Sequence, residues 1–258
     1  MPGNTALQRP VSRVTARKRS RHGLRHTARG SARALGGRKR TMKPTLTLEA
    51  LKTEARAFAE AESAHREPSL YGVTDGKAVG TYFEHKFRTR LHGKYEFAEG
   101  SSAKGIDFPD LDVDMKVTSI KQPQSSCPYK SARQKIYGLG YSVLVFVYDK
   151  TDDPASSTGN LNVLHVIFVE KERTADFQTT TGLRKILENQ GNKDDLLAFM
   201  QERMLPVEEI EASAIADELL EKPPEIGYLT ISNALQWRLQ YRRVIETAGS
   251  VPGVLRLK

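Results

Sequence analysis

The chain has 258 residues, of which 38% are hydrophobic and one is cysteine, and its formal net charge is +9. This length allows one sizeable α/β core, and no apolar run approaches the ~20 residues of a membrane span, so we expect a soluble protein without membrane partners. The lone Cys127 excludes an internal disulfide framework, argues against a zinc cluster and fits a reducing cytoplasm.

The excess positive charge lies at the N-terminus, where residues 1–43 hold thirteen of the 40 basic residues and none of the 31 acidic ones. This segment lacks the apolar residues that would offset its ordering entropy, so we expect a disordered basic tail. Three interpretations stay open: an arm that neutralises nucleic-acid phosphates, an Arg-rich transit peptide, or a misassigned start with Met42 as the alternative first residue. Residues 44–258 are expected to form a single domain.

Two helices are predicted at the start of this domain. Thr47 can cap the first, whose apolar residues recur at helical intervals until Pro68 closes the segment. The second is expected from about Lys77 to Leu91, with Glu84 beside an apolar stripe.

Residues 105–119, GIDFPDLDVDMKVTS, predict two short extended segments around Pro109. Alternation along the second segment places Asp112, Asp114, Lys116 and Thr118 on one face. A polar loop over 120–130 and a helix over 131–138 should follow.

Two apolar runs, 142–148 and 162–169, are typical of strands buried on both faces, and a polar loop separates them. Four helical patterns complete the chain, over about 180–190, 193–203, 207–221 and 232–247. The order of elements predicts an α/β fold with a mixed central sheet flanked by helices and a helical C-terminal part from about residue 180.

The pattern (D/E)-x-K occurs three times, in Asp75-Gly76-Lys77, Glu84-His85-Lys86 and Asp114-Met115-Lys116. Only the third lies on a predicted strand, where residues two apart project to the same side. The first lies in a turn and the second on a helix, where such residues diverge.

Asp107 lies seven residues before Asp114, and a tight bend can bring both carboxylates onto one metal ion. Two close carboxylates repel unless a cation neutralises them, and hard oxygen ligands suit Mg²⁺. Lys116 could then orient or deprotonate a metal-bound water, as phosphodiester hydrolysis requires. Glu84 is the natural third carboxylate, reaching the site directly or through a water. Two alternatives remain, namely a surface ion pair without function and Asp110 in place of Asp107.

These residues resemble the PD-(D/E)xK nucleases, which include many type II restriction endonucleases. The resemblance covers about residues 79–148, ending with a helix that bears Gln134-x-x-Tyr137 and the apolar strand 142–148. The seven-residue spacing is most similar to the branch containing the mismatch-repair endonuclease MutH, which usually has Glu where this chain has Asp114. The resemblance implies a restriction-endonuclease-like fold in which Asp107 and Asp114 bind the metal, Lys116 is catalytic and Glu84 assists.

The expected function is that of a type II restriction endonuclease of the bacterial cytoplasm that cuts double-stranded DNA at a specific short sequence with Mg²⁺. A homodimer is expected from the symmetry of such sites, and a cognate DNA methyltransferase should belong to the same system. The alternatives are a MutH-like repair nicking endonuclease and a non-enzymatic nucleic-acid-binding protein.

Residues that follow the metal site are suited to contact DNA, because Lys, Arg and Gln match phosphates and base edges. The predicted contacts are Lys121, Gln122, Gln124, Lys130, Arg133, Gln134 and Tyr137. The last predicted helix carries further residues of these types interleaved with aromatic ones, and a core-packing helix with a solvated basic face explains that pattern slightly better than a base reader does. These residues are Gln236, Arg238, Gln240, Arg242 and Arg243, with Trp237 and Tyr241 between them.

Overall fold

The computed structural model describes residues 43–100, 105–126, 128–231 and 238–258, which belong to one unit of the chain, Met42–Lys258. The predicted basic tail over residues 1–42 and Cys127 lie outside the described residues. None of the helices in the described part of the chain combines the length and hydrophobicity that crossing a bilayer requires.

The described elements follow one another in this order: α1 (Leu48–Ser63), α2 (Gly76–Lys94), β1 (Val113–Ser119), β2 (Gln124–Ser126), α3 (Ala132–Tyr137), β3 (Ser142–Asp153), β4 (Thr158–Val169), α4 (Phe177–Glu188), α5 (Lys193–Glu202), α6 (Glu209–Glu221), β5 (Thr230–Ile231), β6 (Arg238–Gln240), α7 (Arg242–Thr247) and β7 (Val254–Arg256). Both N-terminal helices are capped by side chains. The Thr47 hydroxyl accepts a hydrogen bond from the amide of Ala50, and the Asp75 carboxylate accepts from the amides of Lys77 and Ala78.

The central sheet has the order β1-β3-β4-β7. β1 and β3 are parallel, whereas β3 with β4 and β4 with β7 are antiparallel. The prediction of a mixed sheet flanked by helices is therefore confirmed. In the register of the parallel pair, Asp114 lies opposite Val143 and Lys116 opposite Val145.

β3 is buried on both faces, as its continuous apolar sequence predicts. Leu144 and Phe146 pack into a core that also contains the apolar residues of α1 and α2. Val143, Val145 and Val147 point the other way, into a second core formed with β5, β6 and α7. A third core joins α3 to α4, α5 and α6.

Helix α2 is fixed against α1 by ion pairs as well as by aromatic packing. Glu54 of α1 pairs with Arg90 at 3.0 Å and with Lys94 at 2.6 Å, and the buried Glu62 pairs with Lys86 at 2.8 Å. These contacts set the rotation of α2 about its axis, and so determine which side chains it presents to β1.

Three sequence predictions of secondary structure are wrong. The polar loop expected over 120–130 contains a strand, since Gln124–Ser126 form β2. The polar segment between the apolar runs is mostly strand, because β3 and β4 continue as a hairpin in which Asp153 pairs with Thr158. The expected helix over 232–247 is helical only over Arg242–Thr247, since Arg238–Gln240 form β6; residues 232–237 lie outside the described part. β6 pairs with β2 and β5 in a separate sheet of order β2-β6-β5, and this long-range pairing overrides the helical spacing of the sequence.

Candidate active site

The chain folds back on itself between Asp107 and Asp114. Residues Pro109–Leu111 form a single 3-10 turn, and Asp112 adopts a left-handed conformation with φ of 51°, which Asp tolerates better than most residues. The backbone of Phe108 pairs with that of Val113 across the turn. The Asp107 Oδ2 atom accepts a hydrogen bond of 2.8 Å from the amide of Met115, so Asp107 is held beside the first residues of β1.

Asp114 and Lys116 project to the same side of β1, as the strand alternation predicts. The Lys116 Nζ atom lies 2.7 Å from Asp114 Oδ2. The Asp114 residue is only 3% exposed, and its Oδ2 atom has no partner in hydrogen-bond geometry, so the lysine contacts it as an ion pair without an aligned hydrogen bond. The Lys116 ammonium is thus the charge that faces this buried carboxylate oxygen, although it does not approach along a hydrogen-bond direction.

The carboxylates at this site affect one another. Burial raises the pKa of Asp114 to about 7, and the Asp107 carboxylate adds to the rise while Lys116 opposes it. Burial also raises the pKa of Glu84, again with a contribution from Asp107 and with Arg88 and Lys116 opposing it. The structure therefore brings Glu84, Asp107, Asp114 and Lys116 into one electrostatic cluster.

Arg88 belongs to the same cluster and was missed by the sequence analysis. It forms an ion pair with Asp107 through Nη2, and its Nε atom is buried without a hydrogen-bond partner. Arg88 lies four residues after Glu84 on α2, so both residues occupy one face of the helix. That spacing was the signal that could have identified it.

The competing aspartates and (D/E)-x-K triplets have other contacts. Asp110 accepts a hydrogen bond of 3.2 Å from the amide of Ala98, and Asp112 is an exposed turn residue. Asp75 caps α2, and Lys86 pairs with Glu62. These positions favour Asp107 over Asp110 as the partner of Asp114.

Glu84 and Lys116 line one part of a cleft of about 1150 Å³ that also reaches the start of α2 and strands β2 and β6. Three of the predicted DNA contacts, Lys121, Gln122 and Gln124, line the same cleft. Asp114 is buried next to Lys116, so the cleft leads directly to the cluster.

The other four predicted DNA contacts are not among the residues that line the cleft. Arg133 pairs with Glu218 at 2.6 Å and Glu211 at 3.3 Å on α6. Tyr137 faces Glu218 as well, and burial together with this carboxylate raises the pKa of Tyr137 to about 12. Gln134 accepts a hydrogen bond of 2.6 Å from the amide of Lys130. Arg133 and Tyr137 thus face α6, whereas the side chain of Gln134 bonds within its own segment.

The donor set of the cluster fits a hard divalent cation that keeps part of its water shell. No group of three or more His, Cys, Asp or Glu side chains in the described ranges is arranged to enclose a metal ion. Mg²⁺ in proteins is usually bound through one or two carboxylates, with waters and substrate phosphates filling the remaining positions. Asp107 and Asp114 provide such a pair, and the buried Asp114 Oδ2 atom, which the Lys116 ammonium already faces without an aligned hydrogen bond, is suitable for a cation.

Known proteins resemble this chain over most of its length. The family model described as type II restriction enzyme NspV matches residues 45–256. The curated type II restriction enzyme NspV from Nostoc sp. is 68% identical over 210 residues, which cover 81% of this chain and 96% of the relative. No solved structure matches the chain.

Proposed function

We propose that this chain, which belongs to the type II restriction enzyme NspV family, hydrolyses phosphodiester bonds of double-stranded DNA at a specific short sequence with Mg²⁺ as cofactor. The observation that carries this proposal is the position of Asp107 beside β1, next to Asp114 and Lys116 on one side of that strand. This arrangement also supports membership of the PD-(D/E)xK nucleases, with spacing similar to the MutH branch.

Asp107 and Asp114 are the residues that would hold the metal, and Glu84 is placed to act on it through a water molecule. When bound, Mg²⁺ supplies charge that polarises the scissile phosphate and lowers the pKa of a coordinated water. Lys116 lies at the wall of the cleft, where its side chain is 26% exposed. Its ammonium group would orient the attacking water, or, after losing its own proton, the neutral amine would accept the proton of that water. Arg88 neutralises Asp107 and keeps the two aspartates close together.

The DNA enters the cleft between α2 and β2 in this proposal. Lys121 is 77% exposed there and suits a phosphate, whereas Gln122 and Gln124 suit base edges. The enzyme would act in the bacterial cytoplasm as a homodimer, since cutting both strands of a symmetric sequence needs two active sites related by a two-fold axis. A methyltransferase that modifies the same sequence would protect the host DNA.

The proposal is tested by replacing Lys116 with alanine and measuring cleavage of supercoiled plasmid DNA of known sequence in the presence of Mg²⁺. We expect cleavage by the wild-type protein at one fixed sequence without any added partner. The Lys116→Ala variant should cleave at least ~100-fold more slowly, because a positioned proton-transfer group contributes about that much or more. Its affinity for the same DNA, measured without Mg²⁺, should remain within a few-fold of wild type.

Lys193 provides a matched control. It is 35% exposed and also pairs with an aspartate, Asp217, but it lies on α5 and does not line the cleft. Lys193→Ala should therefore cleave like wild type. Cleavage by Lys116→Ala at a similar rate would contradict the assignment, and nicking that requires a partner protein would favour a repair endonuclease instead.

A further inference from the structure

The small sheet presents a polar face formed by two segments that are far apart in the sequence. In the antiparallel pair β2 and β6, Gln124 lies opposite Gln240 and Ser126 lies opposite Arg238. The intervening residue of β6, Leu239, is fully buried in the second core. Since side chains alternate along a strand, Arg238 and Gln240 point away from that core, to the same side as Gln124 and Ser126.

This polar face borders the same cleft as the candidate active site. Gln124, Ser126 and Arg238 line the cleft together with Glu84 and Lys116. β2 is also tied to the catalytic strand, because the buried Thr118 hydroxyl accepts a hydrogen bond of 3.0 Å from the amide of Gln124 and lies 3.1 Å from its carbonyl oxygen. Thr118 is two residues beyond Lys116 on the same side of β1. The position of the polar face relative to Lys116 is thus fixed by strand geometry.

We propose that β2 and β6, the strands of the small sheet that border the cleft, act as a β-ribbon whose residues Gln124, Arg238 and Gln240 read base edges in the major groove and so determine which sequence is cut. This inference rests on the proposed function and assigns the residues that make cleavage sequence-specific. A major groove is wide enough to admit a two-stranded ribbon. Residues two apart on a strand are separated by roughly 6.8 Å, which is close to two base-pair steps of about 3.4 Å, so the two cross-strand pairs can address base pairs that lie two steps apart.

The side chains have the chemistry that base reading requires. The amide of glutamine can bond to N6 and N7 of adenine at once, and the guanidinium of arginine can bond to O6 and N7 of guanine. Within the described part of the chain, the side-chain amides of Gln124 and Gln240 make no hydrogen bond to another residue. Gln240 is exposed, so its amide is accessible to DNA without any rearrangement of the core.

The test begins with plasmid DNA of known sequence, which gives the sequence cut by the wild-type protein. Short duplexes carrying that sequence and each of its single-base-pair changes are then cleaved by wild type, Gln240→Ala and Arg238→Lys. Arg238→Lys keeps the positive charge but loses the planar two-pronged donor, so it separates base reading from phosphate attraction.

We expect Gln240→Ala to lower kcat/KM on the unchanged sequence by roughly 5- to 160-fold, the factor that corresponds to the about 1–3 kcal/mol of one two-pronged base contact. The preference of Gln240→Ala for the correct base pair over its replacements should fall at one position of the cut sequence and remain at the other positions. Arg238→Lys should lose discrimination at a different base pair while its affinity for unrelated DNA stays within a few-fold of wild type.

Two surface residues serve as controls. Gln201 is exposed on α5, and Arg242 is 86% exposed on α7, two residues after Gln240 but outside the polar face. Gln201→Ala and Arg242→Lys should match wild type on every duplex. The thermal unfolding temperature of each variant shows whether it is folded.

The outcomes separate this inference from the function on which it rests. If wild type cuts a fixed sequence but both β6 variants discriminate all base pairs as wild type does, the ribbon is not the reader. A uniform loss on every duplex would also overturn the inference, because it indicates a phosphate or structural role. If wild type cuts no DNA, or cuts without sequence preference, the proposed function itself has failed.

Discussion

Replacement of Asp114 by asparagine should stabilise the metal-free protein while abolishing cleavage. The side chain is buried, its Oδ2 atom has no hydrogen-bond partner, and the Asp107 carboxylate is nearby. Asparagine has almost the same shape but no charge to desolvate. Exchange of a whole buried ion pair for neutral groups of similar volume is often neutral or stabilising, by about 1–4 kcal/mol, whereas removal of one partner is costly when the other charge stays buried. The Lys116 side chain is 26% exposed in the cleft, so its charge can be solvated when Asp114 is neutral.

The pKa of Asp114 gives an upper bound for this gain. Its rise from the ordinary 3.8 to about 7 corresponds to about 4 kcal/mol at 1.36 kcal/mol per pH unit. Because side chains and water around Asp114 relax in response to the charge, and Lys116 loses its partner, we expect a gain of about 1–3 kcal/mol in the free energy of unfolding. For a domain of this size, 2 kcal/mol raises Tm by about 4–8 °C.

The sign of the pH dependence follows from the direction of the pKa shift. An acid whose pKa is higher in the folded state than in the unfolded state destabilises the fold when it ionises. The wild-type protein therefore loses this part of its stability as the pH rises from about 4 to about 7. The gain in the free energy of unfolding of Asp114→Asn over wild type should be small at pH 4 and reach its full value above pH 7.

The assay is urea unfolding at pH 5 and pH 8 in the presence of a chelator, followed by the same measurement at pH 8 with Mg²⁺. At ten times its Kd, a ligand that binds only the folded state adds about 1.4 kcal/mol. Wild type should gain stability from Mg²⁺, whereas Asp114→Asn should gain much less. Asp112→Asn is the matched control, because Asp112 is exposed and asparagine tolerates its left-handed backbone.

A loss of stability in Asp114→Asn of more than about 1 kcal/mol relative to wild type, in the chelator at pH 8, would contradict this prediction, since the carboxylate would then be a stabilising group. The prediction is also refuted if Asp112→Asn and Asp114→Asn respond equally to Mg²⁺.

Two further predictions concern the core and the C-terminal helices. Phe146 is fully buried and its ring lies 4.9 Å from that of Phe83 and 5.4 Å from that of Phe87, so Phe146→Ala should lower the free energy of unfolding by about 3–5 kcal/mol in urea titrations. A loss below about 1 kcal/mol would mean that this aromatic packing does not anchor α2. Arg133 is 40% exposed and pairs with Glu218, so Arg133→Ala should change stability by no more than about 1 kcal/mol and leave plasmid cleavage unchanged. A tenfold loss of cleavage would instead show that Arg133 contacts DNA.

The parts of the fold that the sequence predicts correctly depend on local patterns. Thr47 caps α1, and the continuous apolar runs identify the centres of β3 and β4. The placement of Asp114 and Lys116 on one side of β1 also follows from the alternation of a single strand.

The features that the sequence does not predict depend on contacts between distant segments. β6 pairs with β2 across more than a hundred residues, and its helical spacing gives no sign of that partner. The spacing of Arg88 from Glu84 places both on one face of α2, but the ion pair of Arg88 with Asp107 depends on the packing of distant segments. Arg133 and Tyr137 are suitable DNA contacts by type, but Glu218 of α6 lies opposite them.

If the candidate site holds a divalent cation as proposed, its charges would link metal binding to DNA binding. When ionised, Glu84, Asp107 and Asp114 carry three negative charges against the two positive charges of Arg88 and Lys116, so the metal-free cluster repels a phosphate. A divalent cation would reverse the sign of the cluster and match the single negative charge of a phosphodiester. Close charges in a poorly solvated site interact strongly, so each ligand should raise the affinity for the other. In the protein without ligands, Arg88 and Lys116 would reduce the electrostatic repulsion among the three carboxylates. The carboxylates would therefore stay close enough together to bind a cation.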